Sequence, residues 1–365
     1  MSASRDRTGR RLRVLLVAVF ALGLAVIAAR PWIESLRLVV ALADGAPPDV
    51  TRLPIVYESD GRPHQGDLYP AQGAKGAGLV LVPGAAAAGK DDPRLSRVAA
   101  LLAGAGFTVL IPDIASQKAL RVGPENIDDV ADAVLALGKT QRRVGVAAIS
   151  YAVGPAVLAA RRLGDKLAFV VGVGGYYDLG AVIGFFTTGR YFEDGRWQER
   201  TPNAYGKWVF VESNAARLWD SGDRALLGLM AARRRADPTA SLDDLAPRLT
   251  SGGRAIYDLL ANGDPTRVPD LLSRLPPIIG DDIRALDLKT KDLSGLTAHL
   301  LLIHGRGDAI IPAGESRKLA TAVPKADLFL VDDLAHADWT AHSGTGMVSM
   351  VRAVRALLDE RDGGR

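Results

Sequence analysis

The chain predicts an α/β protein with a mostly parallel central sheet flanked by helices, and three observations carry the prediction. The chain has 365 residues and is 48% hydrophobic, enough to bury a large core. Its strand-length segments are apolar throughout rather than alternating, as expected where helices cover both faces of a sheet. Helical patterns separate these segments, and that alternation favours parallel pairing. In order, the strand candidates are Gly78 to Val82, Phe107 to Ile111, Arg143 to Ile149, Leu167 to Val173, His299 to His304 and Ala326 to Val331. Helices are expected at Pro93 to Ala103, Pro124 to Leu137, Val153 to Leu163, Ala313 to Ala322 and Thr345 to Glu360.

The first 43 residues read as a targeting segment. Residues 14 to 29, VLLVAVFALGLAVIAA, are uncharged and apolar, with arginines before them and Arg30-Pro31-Trp32 after. The run lies between a signal-peptide core and a spanning helix in length, and snorkelling of Arg13 and Arg30 extends its reach. The reading is a single-pass N-terminal anchor, with the basic tip cytoplasmic and the body exported. Cleavage near Val26-Ile27-Ala28 would make the body a secreted protein; Ala41-Leu42-Ala43 lies too far beyond the run. Five arginines against Asp6 in the first thirteen residues already account for the net charge of +4, so the body is neutral and no nucleic-acid partner is expected. With no cysteine, disulfides, thiolate metal sites and a lipidated cysteine are excluded.

Residues 44 to 179 hold the first part of the α/β core and 297 to 365 the second. Between them, from 180 to 296, the alternation stops and short helical patterns are broken by Pro and Gly. Eleven of the chain's 21 aromatic residues fall between Tyr176 and Trp219, among them Phe185, Phe186, Tyr191, Phe192, Trp197, Trp208 and Phe210. Either these rings pack the insertion's own core, or they line a lid over an apolar pocket.

The stretch PGAAAAGKDDP, from Pro83, contains seven of the eight positions of a phosphate-binding loop. The hydroxyl residue that would hold magnesium is replaced by Asp91. Asp92 before Pro93 suits a helix N-cap, which leaves Lys90 outside the helix. Asp113 would then imitate the second acidic residue of a nucleotide site, although Pro112 spoils that match.

A different chemistry is suggested by VAAISYAVG. Ser150 stands between a buried strand and a small-residue helix, where a strained turn presents a hydroxyl above the sheet. The flanking residues are Ala148 and Ala152, where glycines are usual. An N-cap serine is the plainer account. A serine nucleophile needs a base and an acid to orient it. Asp308, in LLIHGRGDAIIP, and His336, in LAHADW, each follow an apolar strand, at the edge where open α/β sheets place their sites. His304 reads as a structural residue beside its strand end, Asp338 as solvent-facing or else a neighbour of His336, and Arg233 to Arg235 as a solvated helix face or a contact with anionic headgroups.

These segments, with VYESDGRPHQGDLYPA, GLVLVPGA and FTVLIPD, resemble the α/β-hydrolase fold near its serine-esterase and dienelactone-hydrolase-like branches. The similarity covers most of residues 51 to 178 and 297 to 360. It implies Ser150 as nucleophile, His336 as base, Asp308 as orienting acid, and the backbone amides of Ala85 and Tyr151 as the oxyanion hole, without metal or organic cofactor. The expected partner is a small-molecule ester with an apolar acyl or alcohol part, with the membrane reached through the N-terminal helix. An acyltransferase using the same residues, a non-catalytic exported binding protein and a nucleotide hydrolase are the competing readings.

Overall fold

The computed structural model describes residues 29–43, 46–59, 61–73, 76–336, 338–339 and 344–363. Residues 29–43 form helix α1. After it come strands β1 (Leu53–Ser59), β2 (Arg62–Tyr69) and β3 (Ala77–Val82), helix α2 (Pro93–Gly104), β4 (Phe107–Pro112), and helices α3 (Ala115–Lys118) and α4 (Glu125–Gly138). Strand β5 (Val144–Ile149), α5 (Val153–Leu163) and β6 (Phe169–Val173) follow. The stretch leading to the next sheet strand contains α6 (Leu179–Thr188), the hairpin β7 (Arg190–Glu193) and β8 (Arg196–Glu199), α7 (Tyr205–Ala215), α8 (Ser221–Ala236), α9 (Ser251–Ala261), α10 (Val268–Ser273) and α11 (Pro277–Leu286). The chain closes with β9 (His299–Gly305), α12 (Gly314–Ala322), β10 (Ala326–Val331), the short pair β11 (Leu334–Ala335) and β12 (Asp338–Trp339), and α13 (Gly344–Arg361).

Eight strands form one sheet in the order β1-β2-β4-β3-β5-β6-β9-β10. The β1–β2 and β2–β4 pairs are antiparallel and the other five are parallel. Strand side chains alternate between faces, which explains the unbroken apolar runs. Val80, Val82, Val146, Ala148, Val170, Leu300 and Leu302 face the core beneath α4 and α5. Leu79, Leu81, Ala147, Val171, Leu301 and Ile303 face the opposite core, beneath α1, α2 and α13. The β1–β2 hairpin lacks the unbroken buried run that marks the other strands, because at the sheet edge alternate residues are exposed, Leu53 and Val56 among them. Its end is fastened to α4 by Ser59 and Arg62 on the buried Asp132, both at 2.7 Å.

The expectation of a membrane anchor with an exported catalytic body is corrected. No helix among the described residues is long and apolar enough to cross a membrane, and residues 14 to 28 of the apolar run lie outside the described residues. The segment after that run is part of the folded body. Leu38 and Val39 of α1 are buried against the sheet, and Arg361, itself buried, holds Glu34 and the carbonyl of Ala105 together.

Helix α2 begins as its sequence predicts: the Asp92 carboxylate accepts the Arg94 amide at 2.9 Å and Pro93 occupies the first turn. The phosphate-binding reading of the preceding loop fails on the disposition of Lys90. Its ammonium lies 3.1 Å from both Asp67 and Asp91, and Arg52 also reaches Asp67 at 2.6 Å. Asp113 is paired with Lys118 at 2.6 Å. Both ends of the imitated nucleotide site are thus engaged in ion pairs.

Candidate active site

Ser150 directly follows β5, in a tight turn leading into α5, and has a backbone φ of 59°. His336 follows β11 and has a φ of 56°. For a side chain other than glycine this region costs on the order of 1–3 kcal/mol, and such residues concentrate at functional sites. Four non-glycine residues among those described adopt it, and two of them are the nucleophile and base expected from sequence.

Close approach at the turn is achieved by glycines other than the two the motif lacks. Ala148 and Ala152 are fully buried and fit without glycine. Room comes instead from β6, the segment after it and the first turn of α5. A Cβ on Gly172 would lie 2.9 Å from Val153, one on Gly175 2.6 Å from Val153, and one on Gly154 2.0 Å from the Tyr176 hydroxyl. The loop after β3 rests against the same turn, since a Cβ on Gly84 would meet the Ser150 Cβ at 3.4 Å. Ala85 and Tyr151 are both buried beside it. The Tyr151 phenol bonds to Asn126, and complete burial pushes its pKa well above the usual value.

Asp308 is held in a short loop after β9. Asp308 is wholly buried, and its Oδ1 accepts the amides of Ile310 and Ile311 at 2.7 and 3.0 Å. Its Oδ2 lies 2.7 Å from His336 Nδ1 and 3.2 Å from His304 Nε2. Burial acts to raise the carboxyl pKa, but the bonds from His304 and His336 outweigh it and hold the group well below the usual carboxylate range. Beneath the pair, Gly174 has a φ of 63°; its amide donates to the Ile303 carbonyl at 2.9 Å, and a Cβ there would come within 3.1 Å of His336 Nδ1.

A cavity of about 650 Å³ opens over this edge of the sheet, and Ser150, Tyr151, Ala85 and His336 all line it. Asp308 stands behind His336. Among the described residues no hydrogen bond joins Ser150 to His336, although both face the cavity. The far wall is apolar and comes from the 180–296 segment: Val182, Ile183 and Phe186 of α6, Val209 and Phe210 of α7, and Ile283 of α11. The aromatic residues there divide three ways. Phe185 is buried edge-on against Tyr191, Phe186 and Phe210 meet at 5.7 Å in the cavity wall, and Phe192, Trp197 and Trp219 are exposed. Arg233, Arg234 and Arg235 lie at the surface, where they bind Asp244, the Pro238 carbonyl and Glu212. Asp338 lies on β12.

Sequence reasoning missed three contributors. Gly174 was signalled only by the glycine doublet at a strand end. His304 touches the acid as well as filling its core position. Arg200 had no signal; it donates to the carbonyls of Asp308 and Arg306 at 2.7 and 3.3 Å, and its guanidinium lies 5.5 Å from the Tyr191 ring centroid. Among the described residues no group of three or more potential ligands is arranged to hold a metal ion.

No protein-family model and no curated protein matches the chain. Solved structures do. A provisionally assigned hydrolase from Legionella pneumophila aligns with a TM-score of 0.56 at 13% identity, over 89% of this chain and 94% of that one. An α/β-hydrolase fold protein from Nakamurella multipartita aligns at 0.43 and 18% identity, over 85% of this chain and all of the other. The acylaminoacyl peptidase of Pyrococcus horikoshii aligns at 0.45 and 13%, over 83% of this chain and 40% of that one. The strand order, the strained turn after β5 and the Legionella alignment together lead to one conclusion: this chain has the α/β-hydrolase fold.

Proposed function

We propose that the protein is a serine hydrolase that cleaves carboxylic esters through an acyl-enzyme. The observation that carries this reading is the His336–Asp308 pair at 2.7 Å, with its imidazole on the same cavity as the strained Ser150. In the proposed reaction Ser150 attacks the ester carbonyl and His336 takes the hydroxyl proton. His336 then returns the proton to the departing alcohol, and water repeats the sequence on the acyl-enzyme. Asp308, held by four donors, keeps Nδ1 of His336 protonated so that Nε2 is the base. The backbone amides of Ala85 and Tyr151 would receive the oxyanion, each contributing about 3 kcal/mol to the transition state. The apolar wall from α6, α7 and α11 suits an ester whose acyl or alcohol part is apolar.

The missing Ser150–His336 bond favours a second reading, a ligand-binding protein on the same fold, although apo catalytic bonds are often long. One experiment separates the two. The wild type should be labelled by a fluorophosphonate and should cleave short p-nitrophenyl esters, with both activities lost in Ser150→Ala. Unchanged labelling in that variant would remove Ser150 as nucleophile. Binding of apolar ligands without turnover, indifferent to the substitution, would establish the second reading. Supplying an alcohol as acyl acceptor in the same assay tests for transferase activity.

A further inference from the structure

His304 has two ring nitrogens, and the surroundings of each define its role. It is completely buried at the end of β9. Nδ1 lies 2.7 Å from the Ser316 hydroxyl on α12. Nε2 lies 2.9 Å from the Ile311 carbonyl and 3.2 Å from Asp308 Oδ2, both of which only accept. Nε2 therefore carries a proton, shared between a carbonyl and a carboxylate, while the Ser316 hydroxyl partners Nδ1. The carboxylate oxygen that His304 reaches is the one that receives the His336 proton.

We propose that His304 is a positioning residue for the base: by donating to Asp308 Oδ2 it draws on the same oxygen that orients His336, and so limits how strongly Asp308 holds the imidazolium. The inference rests on the reading of Asp308 and His336 as acid and base. A carboxylate whose charge is partly spent on a second donor has less left for the imidazolium, so losing the His304 contact should tighten the hold of Asp308 on protonated His336. The low carboxyl pKa of Asp308 has the same origin, since His304 and His336 together overcome the effect of burial. Few other charges lie close. Arg200, from the segment after β8, binds the Asp308 backbone carbonyl rather than its carboxylate, and Arg306 in the same loop is paired with Asp332 at 2.9 Å. Gly174 on the β6 side brings no charge.

Two amide substitutions separate donation to Asp308 from simple core filling. In His304→Gln the amide nitrogen takes the place of Nε2 and keeps the donor to Asp308. In His304→Asn the amide takes the place of Nδ1, keeping a partner for Ser316 and losing that donor. The His336 imidazole titration is followed by NMR, its signal assigned by its disappearance in His336→Ala, so the readout does not depend on turnover. The Asn variant should titrate about half to one pH unit above wild type, and the Gln variant within a few tenths of it. Ser316→Ala, which removes the hydroxyl that anchors the His304 ring through Nδ1, should move the midpoint the same way by less, and serves if His304→Asn does not fold. Midpoints unchanged in Asn and Ser316→Ala would overturn the proposal and leave His304 a core residue. Failure of the hydrolase reading itself would appear separately, as fluorophosphonate labelling that survives Ser150→Ala.

Discussion

Replacing Gly174 by alanine adds one methyl group, and the structure shows what it meets. The new carbon would lie 3.1 Å from His336 Nδ1, 3.2 Å from its Cε1 and 3.5 Å from Asp308 Oδ2. Contacts of this kind relax toward about 3.5–4.0 Å, so the imidazole must retreat by about 0.4 Å. A misplacement of about 1 Å can cost about 100-fold in rate, and a shift of this size should cost roughly 5- to 10-fold in kcat/KM. The backbone also pays, since Gly174 has a φ of 63° and an L-residue there loses about 1–2 kcal/mol of stability. Gly61→Ala is the matched control: its φ is 73°, and nothing lies within 4 Å of the added carbon. Denaturant unfolding should find both variants destabilised by about the same amount, while p-nitrophenyl ester hydrolysis falls only in Gly174→Ala. Equal activity in the two variants at equal stability would refute the argument that Gly174 is there to make room for His336.

Asp308→Asn should lower kcat by about 10³- to 10⁴-fold, because the amide favours the wrong His336 tautomer. The carboxyl pKa of Asp308 is depressed in the folded protein, so its contribution to stability is complete above the unfolded value near 3.9 and is lost as pH falls through the folded one. Unfolding free energies of wild type and Asp308→Asn should therefore differ by a constant amount from pH 7 to about 4 and converge only in stronger acid. His299 behaves oppositely. Its hydrogen bond to Glu360 raises its pKa, so the stabilisation it gives over His299→Gln should be present below about pH 6 and fade as pH rises, read from melts at several pH values. Arg200→Ala should cost about 1–2 kcal/mol and expose the 200–203 segment to limited proteolysis; Arg200→Lys should not restore it, because one ammonium lacks the planar fork that reaches both carbonyls. Magnesium-ATP should leave the melting temperature unchanged, and Lys90→Ala should cost under about 1 kcal/mol, since Arg52 still neutralises Asp67.

Much of the fold was legible because its signals are local. The unbroken apolar runs at β3, β5 and β9 report burial on both faces, and Asp92-Pro93 marks the start of α2 through its cap alone. The β1–β2 hairpin was not legible as strands, because a half-exposed edge lacks that signature. The anchor reading shows the limit of hydropathy alone. Residues 29–43 continue an apolar stretch, yet what α1 covers is the flank of the sheet, and Arg361, which lies far along the chain, helps hold it there.

The site divides along the same line. The positions of Ser150, Asp308 and His336 at the ends of strands, on one edge of the sheet, could be read from sequence because a strand-to-helix turn and two strand ends are defined by neighbouring residues. Which glycines relieve the crowding around Ser150 and His336 could not, because Gly172, Gly174 and Gly175 do their work against α5, β9 and a loop some 160 residues on. Nor could the sharing of one Asp308 oxygen between two histidines, or the Arg200 clasp on the acid loop, since both depend on where the 180–296 segment and α12 settle on the sheet. By itself the sequence determined the strand pattern, the helix starts and the chemical types available at the sheet edge, all of which follow from short-range sterics and periodicity. Only the tertiary structure decided which side chains meet, because a hydrogen bond of 2.7 Å between residues 28 apart has no local signature.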